Sequence, residues 1–183
     1  MNTAQLKAMS THSAKKDTRL CLNGVRIHRQ HIVATDGHRI ACYPHNFTLP
    51  ALMDDGQAYL ITHEIIKMLD KKQPFTITEE GVLTCGHLTV PLEQTEALAY
   101  LMLFADHTLP DYDYDGVLEP VSAQYLVDAG KLAAQFLDGR AAARLKEGLV
   151  EARAVQSAAM AIVLTHSNLF IGVMPFRASK KPN

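Results

Sequence analysis

The sequence predicts an α+β fold of short helices packed on antiparallel sheets. A unit of one short helix followed by about three strand-like runs occurs three times along the chain. The runs are joined by turn residues rather than by the long helices that a parallel crossover needs. Hydrophobic residues make up 48% of the 183, enough for a sizeable core.

Asn2 or Thr3 caps a first helix whose apolar positions are Leu6 and Met9. Leu20, Leu22, Val25 and Ile27, set among Arg19, Arg26 and His28, read as a strand. Ile32-Val33-Ala34 and Ile40-Ala41-Cys42-Tyr43 read as two more. Asn23-Gly24 and Asp36-Gly37 are good type I′ pairs, so pattern alone predicts tight hairpins at both. Pro44 to Gly56 is loop-like.

Ala58-Tyr59-Leu60-Ile61 reads as a strand. Thr62 then caps a helix with Ile65, Ile66 and Leu69 on one face, and Pro74 enforces its end. A meander follows: Phe75 to Thr78, Val82 to Cys85 and Leu88 to Val90, with turns at Glu79-Glu80-Gly81 and Gly86. Thr95 to Phe104 is apolar and fits either helix or strand, and Leu109 to Pro120 reads as a linker.

Ser122 caps the clearest helix, with Leu126, Ala129, Leu132, Ala133, Phe136 and Leu137 on one face and Gly139 to end it. Three strand-like runs complete this third unit, around Leu149 to Val155, Ala158 to Thr165 and Leu169 to Phe176. Ser179 to Asn183 reads as a frayed end.

Net charge is −1 and the pI about 6.7, which gives no global attraction to nucleic acid, although a local basic surface can hide in a neutral total. Cys21, Cys42 and Cys85 lie far apart in apolar runs, where Cys acts as a small buried hydrophobe. An odd cysteine count, no signal-like N-terminus and no membrane-length apolar run suggest a cytoplasmic protein. No P-loop, G-x-S-x-G, G-x-G-x-x-G or H-E-x-x-H is present, so neither an enzyme, a metal site nor a cofactor is expected. His28 and His31 would point to opposite faces of a regular strand.

Two segments stand apart: Ala34-Thr35-Asp36-Gly37-His38-Arg39-Ile40-Ala41 and Val173-Met174-Pro175-Phe176-Arg177. With Arg19 to Val25 upstream and Leu109-Pro110-Asp111-Tyr112 followed by Val117-Leu118, they resemble, in the same order, segments of the bacterial DNA polymerase III beta subunit, the sliding clamp. The resemblance implies about one and a half clamp domains. Residues 1–120 would correspond to the middle domain and 121–183 to the second half of the last. It also implies that Asn23-Gly24 and Asp36-Gly37 lie within longer strands, as bulges, and this reading is preferred over the hairpins. The chain departs from the family in lacking the first domain and the first half of the last, and in carrying Asp113 to Gly116 where basic residues are usual.

The family's partners carry a short peptide with a Gln and an apolar pair, commonly Leu and Phe. An apolar anchor needs a concave, dry cavity with polar groups at its lip. The resemblance assigns the floor and walls to Leu22, Ile40, Pro110, Val117, Val173, Met174, Pro175 and Phe176. Thr35, Gly37, His38 and Arg39 would form one rim and Arg177 the other, with both arginines donating to the peptide. Double-stranded DNA would meet Lys7, Lys15 and Lys16 beside the first helix, Lys67, Lys71 and Lys72 on the second, and Lys131 and Arg140 on the third. Away from the resemblance, such lysines read as solvated helix faces.

The third unit by itself would expose an apolar helix face and a sheet edge. Self-pairing of two chains remedies this, so a homodimer or a dimer of dimers is expected, unless the third unit packs on the first domain instead. Two functions remain open: a processivity clamp that tethers a polymerase or other motif-bearing protein on DNA, and a non-encircling decoy or adaptor that binds clamp-interacting proteins.

Overall fold

The computed structural model describes residues 1–49, 56–97, 122–136, 152–153, 162–166 and 169–173. Three α-helices run over Thr3–Met9 (α1), His63–Met68 (α2) and Ala123–Ala134 (α3) among these residues. Asn2 closes a capping box on α1: its side chain accepts from the Gln5 amide, and its own amide donates to Gln5 Oε1. Thr62 caps α2 as predicted. That helix ends at Met68, well before Pro74, because Leu69 turns extended to bury its side chain and Asp70 knits a turn with the Lys72 amide.

Strands β1 (Val25–Ile27), β2 (His31–Thr35), β3 (Arg39–Pro44), β4 (Gln57–Ile61), β8 (Glu93–Glu96), β9 (Ala152–Arg153), β10 (Ile162–His166) and β11 (Leu169–Val173) form one antiparallel sheet. Its order is β8-β4-β1-β2-β3-β11-β10-β9. The predicted meander forms a second, three-stranded sheet of β5 (Phe75–Ile77), β6 (Val82–Cys85) and β7 (Leu88–Pro91). Among the described residues no helix is long and apolar enough to cross a membrane.

Two strand expectations are corrected. Leu20–Leu22 is a turn of 3-10 helix, not a strand, although its alternating leucines mimic strand spacing. Asn23-Gly24 is neither a hairpin nor a bulge within a strand. Asn23 ties the loop together by exchanging hydrogen bonds with the Asp17 backbone, and Gly24 carries the chain into β1 at a φ of 144°. A Cβ there would lie 2.5 Å from the Ile61 carbonyl oxygen on the neighbouring strand. His28 and His31 do not alternate along one strand but face each other where β1 turns into β2, the His28 amide donating to the His31 carbonyl.

One core spans all three units. Leu6 and Met9 of α1, Ile66 and Leu69 of the α2 region, Leu83 of β6, Ala129, Leu132 and Ala133 of α3 and Leu169 and Ile171 of β11 belong to the same buried cluster. The expectation that the third unit needs a second chain is therefore corrected. Its α3 face lies in this core and its β11 edge pairs with β3, so the partner surface is the first unit of the same chain. Phe136 packs on Tyr43 at 4.7 Å between ring centroids, and Gln5 donates to the Gln135 carbonyl. Leu126 is the exception on the predicted apolar face and is exposed, as is Val127. Leu137 and Gly139 lie outside the described residues.

Candidate functional site

The Thr35 to Ile40 run turns β2 into β3. Thr35 pairs with Ile40, so the four residues between them close a hairpin. The preferred expectation of a bulge within a longer strand is corrected here, and so is the tight two-residue type I′ hairpin: the loop has four residues, held by the Thr35 and Asp36 side chains. The Thr35 hydroxyl donates to the Arg39 carbonyl and accepts from the Gly37 amide. Asp36 Oδ1 accepts from the His38 and Arg39 amides at 2.9 and 3.1 Å. Gly37 adopts a φ of 90°, which an L side chain rarely does.

The hairpin tip meets the loop before β1. A Cβ on Gly37 would lie 3.3 Å from Arg19 Nη2 and 3.8 Å from Leu22 Cδ1, so the bare glycine lets these side chains close on the turn. Leu22 is buried at 5% exposure and the neighbouring Leu20 is 74% exposed. Arg19 is fixed in place by Asp17, through Nε to Oδ1 at 2.9 Å and Nη2 to Oδ2 at 3.0 Å. The same hydrogen bonds hold the Asp17 carboxyl down at about 2. No role was read for Arg19 from the sequence; the Asp17-Thr18-Arg19 spacing was the available signal.

At the other end of the hairpin the first and third units join. Arg39 stands opposite Val173, and Ile40 opposite Gly172, across the β3–β11 seam. Strand alternation puts these residues on two faces. Arg39 and Val173 share the helix-facing side with the core residues Ala41 and Ile171, whereas Ile40 and Gly172 face the other way. Val173 is fully buried and Ile40 is at 5% exposure.

Arg39 is engaged within its own chain. It is only 11% exposed, and each of its donor nitrogens has a partner within the chain. Nε meets Asp36 Oδ2 at 2.9 Å, Nη1 meets Asp128 Oδ2 at 2.7 Å, and Nη2 donates to the Thr11 carbonyl at 2.8 Å. Its guanidinium carbon lies 4.7 Å from the centre of the Tyr125 ring. Three of the five N–H groups of this guanidinium are thus engaged inside the chain, which leaves one on each Nη for any further acceptor. Neither Asp128 nor Tyr125 was singled out in the sequence, since only the seam brings them to Arg39.

Gly37 and His38 are exposed at the turn and Thr35 is half-buried. Pro110, Val117, Met174, Pro175, Phe176, Arg177 and Arg140 lie outside the described residues. Lys7 is half-buried and donates to the Leu69 carbonyl. Lys15 and Lys16 line a cavity of about 360 Å³ with Leu20, Leu60, His63 and Thr95 rather than a helix face. Lys67 lies on α2, Lys71 and Lys72 follow it, and Lys131 is 73% exposed on α3.

No protein family's sequence profile matches the chain, and no curated protein matches its sequence. Solved structures match its fold. The beta sliding clamp of C. crescentus is 16% identical with a TM-score of 0.57, over 97% of this chain and 64% of that one. The DNA polymerase III beta subunit of Bartonella birtlesii, a sliding clamp solved bound to griselimycin, is 10% identical with a TM-score of 0.55, over 99% and 65%. The DNA polymerase III beta chain of Streptococcus pneumoniae TIGR4 is 10% identical with a TM-score of 0.52, over 98% and 63%. This chain thus spans less than two thirds of the length of each. The described strands and short helices, assembled in this order, give the chain a clamp-like α+β fold similar to part of these sliding clamps.

Proposed function

We propose that this protein is a sliding-clamp-like factor of DNA replication that performs no chemistry and holds partner proteins through a peptide pocket at the hairpin tip. The carrying observation is the contact of Leu22 and Arg19 with Gly37, which sets an apolar side chain, a guanidinium and an open backbone together beside the β3–β11 seam. An apolar peptide anchor against Leu22 and Ile40, with backbone contacts at Gly37 and His38, suits that chemistry. Met174 to Arg177, Pro110 and Val117 are proposed as the remaining walls. Residues 1–120 are proposed to correspond to a middle clamp domain and 121–183 to half of the last. The likeness to sliding clamps supports a processivity role, with Lys67, Lys71, Lys72 and Lys131 toward DNA.

One observation favours the second reading, a non-encircling adaptor or decoy. The third unit covers its helix face within its own chain, so ring closure is not needed to bury it. A fluorescent Gln-x-x-Leu-Phe peptide, titrated while the mass in solution is recorded, tests both. Saturable binding with a Kd of order micromolar is expected, weakened about tenfold in Leu22→Ala and in Met174→Ala. Absence of binding at high micromolar peptide would sink the pocket. A ring-sized oligomer would favour the processivity clamp, and a monomer or simple dimer the adaptor.

A further inference from the structure

We propose that Asp128 is a positioning residue for the peptide site: through Arg39 it latches α3 to the β2–β3 hairpin and sets the backbone that a bound peptide meets. This rests on the peptide-pocket reading above and adds how the site is held in place.

Arg39 joins the pieces concerned, through its backbone to β11 and through its side chain to the hairpin, Thr11 and α3. It begins β3 and faces Val173 of β11 across the seam. Its Nε holds Asp36 Oδ2, while the other oxygen of Asp36 fixes the His38 and Arg39 amides. Its Nη2 holds Thr11 at the end of the α1 segment, and its Nη1 holds Asp128, 89 residues away in sequence. Asp128 is itself oriented, since its Oδ1 accepts from Gln124 one helical turn earlier at 2.9 Å. Tyr125, on the same face of α3, adds its ring beneath the guanidinium.

Gly37 and His38, the exposed backbone at the tip, thus take their position from Asp36, Asp36 takes its position from Arg39, and Arg39 is anchored by Asp128. No atom of Asp128 needs to reach a peptide for its charge to matter there. Coupling of this kind is reciprocal. A peptide that holds the hairpin tip in its bound geometry must also hold α3 and β11 on the first unit.

The test compares the full-length protein with Asp128→Asn and Asp128→Glu. Each is titrated with the Gln-x-x-Leu-Phe peptide, and amide hydrogen exchange is followed with and without it. Asp128→Asn is expected to raise the Kd about tenfold and to speed exchange in β3 and β11. Asp128→Glu should recover part of the affinity, and peptide should slow seam exchange in the unaltered protein. Faster exchange in Asp128→Asn with an unchanged Kd would overturn the coupling. Unchanged exchange would overturn the latch. No binding by the unaltered protein would overturn the pocket reading and the coupling with it, while the exchange comparison would still report on the latch alone.

Discussion

Arg39 at the start of β3 and Arg26 in the middle of β1 lie on the same sheet and out of solvent, and their surroundings differ sharply. Arg39 faces the helices and is matched by Asp36, Asp128, the Thr11 carbonyl and the Tyr125 ring. Arg26 is fully buried, yet its Nε and Nη1 have no hydrogen-bond partner among the described residues. Its Nη2 reaches Thr95 Oγ1 only at 3.5 Å. Burial accordingly lowers the Arg26 pKa from its ordinary value, with a side-chain hydrogen bond to Cys21 and the charge of Glu96 acting in the opposite direction. A buried guanidinium joined to carboxylates defines a geometry; one left with open donors is a burden on the sheet that holds it.

The comparison is most exposed to test at Arg39. Arg39→Ala removes the cation that Asp36 and Asp128 share, leaving Asp128 only the exposed Lys131 at 4.0 Å among the described residues, and should destabilise the fold by about 3–5 kcal/mol. Chemical denaturation measures this, and a loss under about 1 kcal/mol would show that solvent already screens the pair.

Acid should strain the same region next. His12 is fully buried beside Arg39, and its Nε2 has no hydrogen-bond partner among the described residues. Burial first, and then the charge of Arg39, pull its pKa from 6.5 down to about 4, against the opposing pull of Asp128 and Asp36. The unfolded chain therefore takes up a proton from pH 6.5 downward that the folded chain refuses until about pH 4. Stability present above pH 6.5 is lost across that window, by about 3 kcal/mol for this group. Burial lowers His28 too, to about 3, so its loss runs in the same direction and further into acid. Denaturation midpoints between pH 7 and 4 should fall steadily, and His12→Gln should flatten the upper part of the curve. An unchanged slope in that variant would remove His12 from the account.

The smallest effect is expected at Arg26. Arg26→Met keeps the volume and removes a buried charge that, among the described residues, only Thr95, Cys21 and the charge of Glu96 offset, so stability should be unchanged or raised by ~1 kcal/mol. A large loss would show that Arg26 has a partner of real worth and that the contrast between the two arginines is false.

Much of the local architecture was legible because it depends on neighbours in sequence. The Asn2 box on α1, the Thr62 cap and the three-stranded meander follow from capping and turn chemistry acting over a few residues. The Asp36-Gly37 pair marks the place of a turn, but the loop has four residues rather than the two of a type I′ hairpin, because Asp36 Oδ1 takes the His38 and Arg39 amides and Thr35 pairs with Ile40. Leu20–Leu22 misled for the opposite reason: apolar residues two apart fit a strand, but the chain tightens there to put Leu22 against Gly37. The roles of Arg19, Tyr125 and Asp128 in the site were not legible, because an isolated charge or ring on a helix or loop carries no mark of what it will face.

The sequence by itself determined the α+β class, the Asn2 and Thr62 caps, the turns of the meander and the order of most short elements, since these arise from interactions a few residues apart; Ser122 begins α3 without a side-chain cap bond. Only the tertiary structure decided that the third unit completes the first. Strand pairing between β3 and β11 and the Arg39–Asp128 contact join segments separated by most of the chain. Apolar faces and sheet edges are generic and accept any complementary partner. Which one they meet is settled by the geometry of the whole core, where one buried cation finds both of its carboxylates.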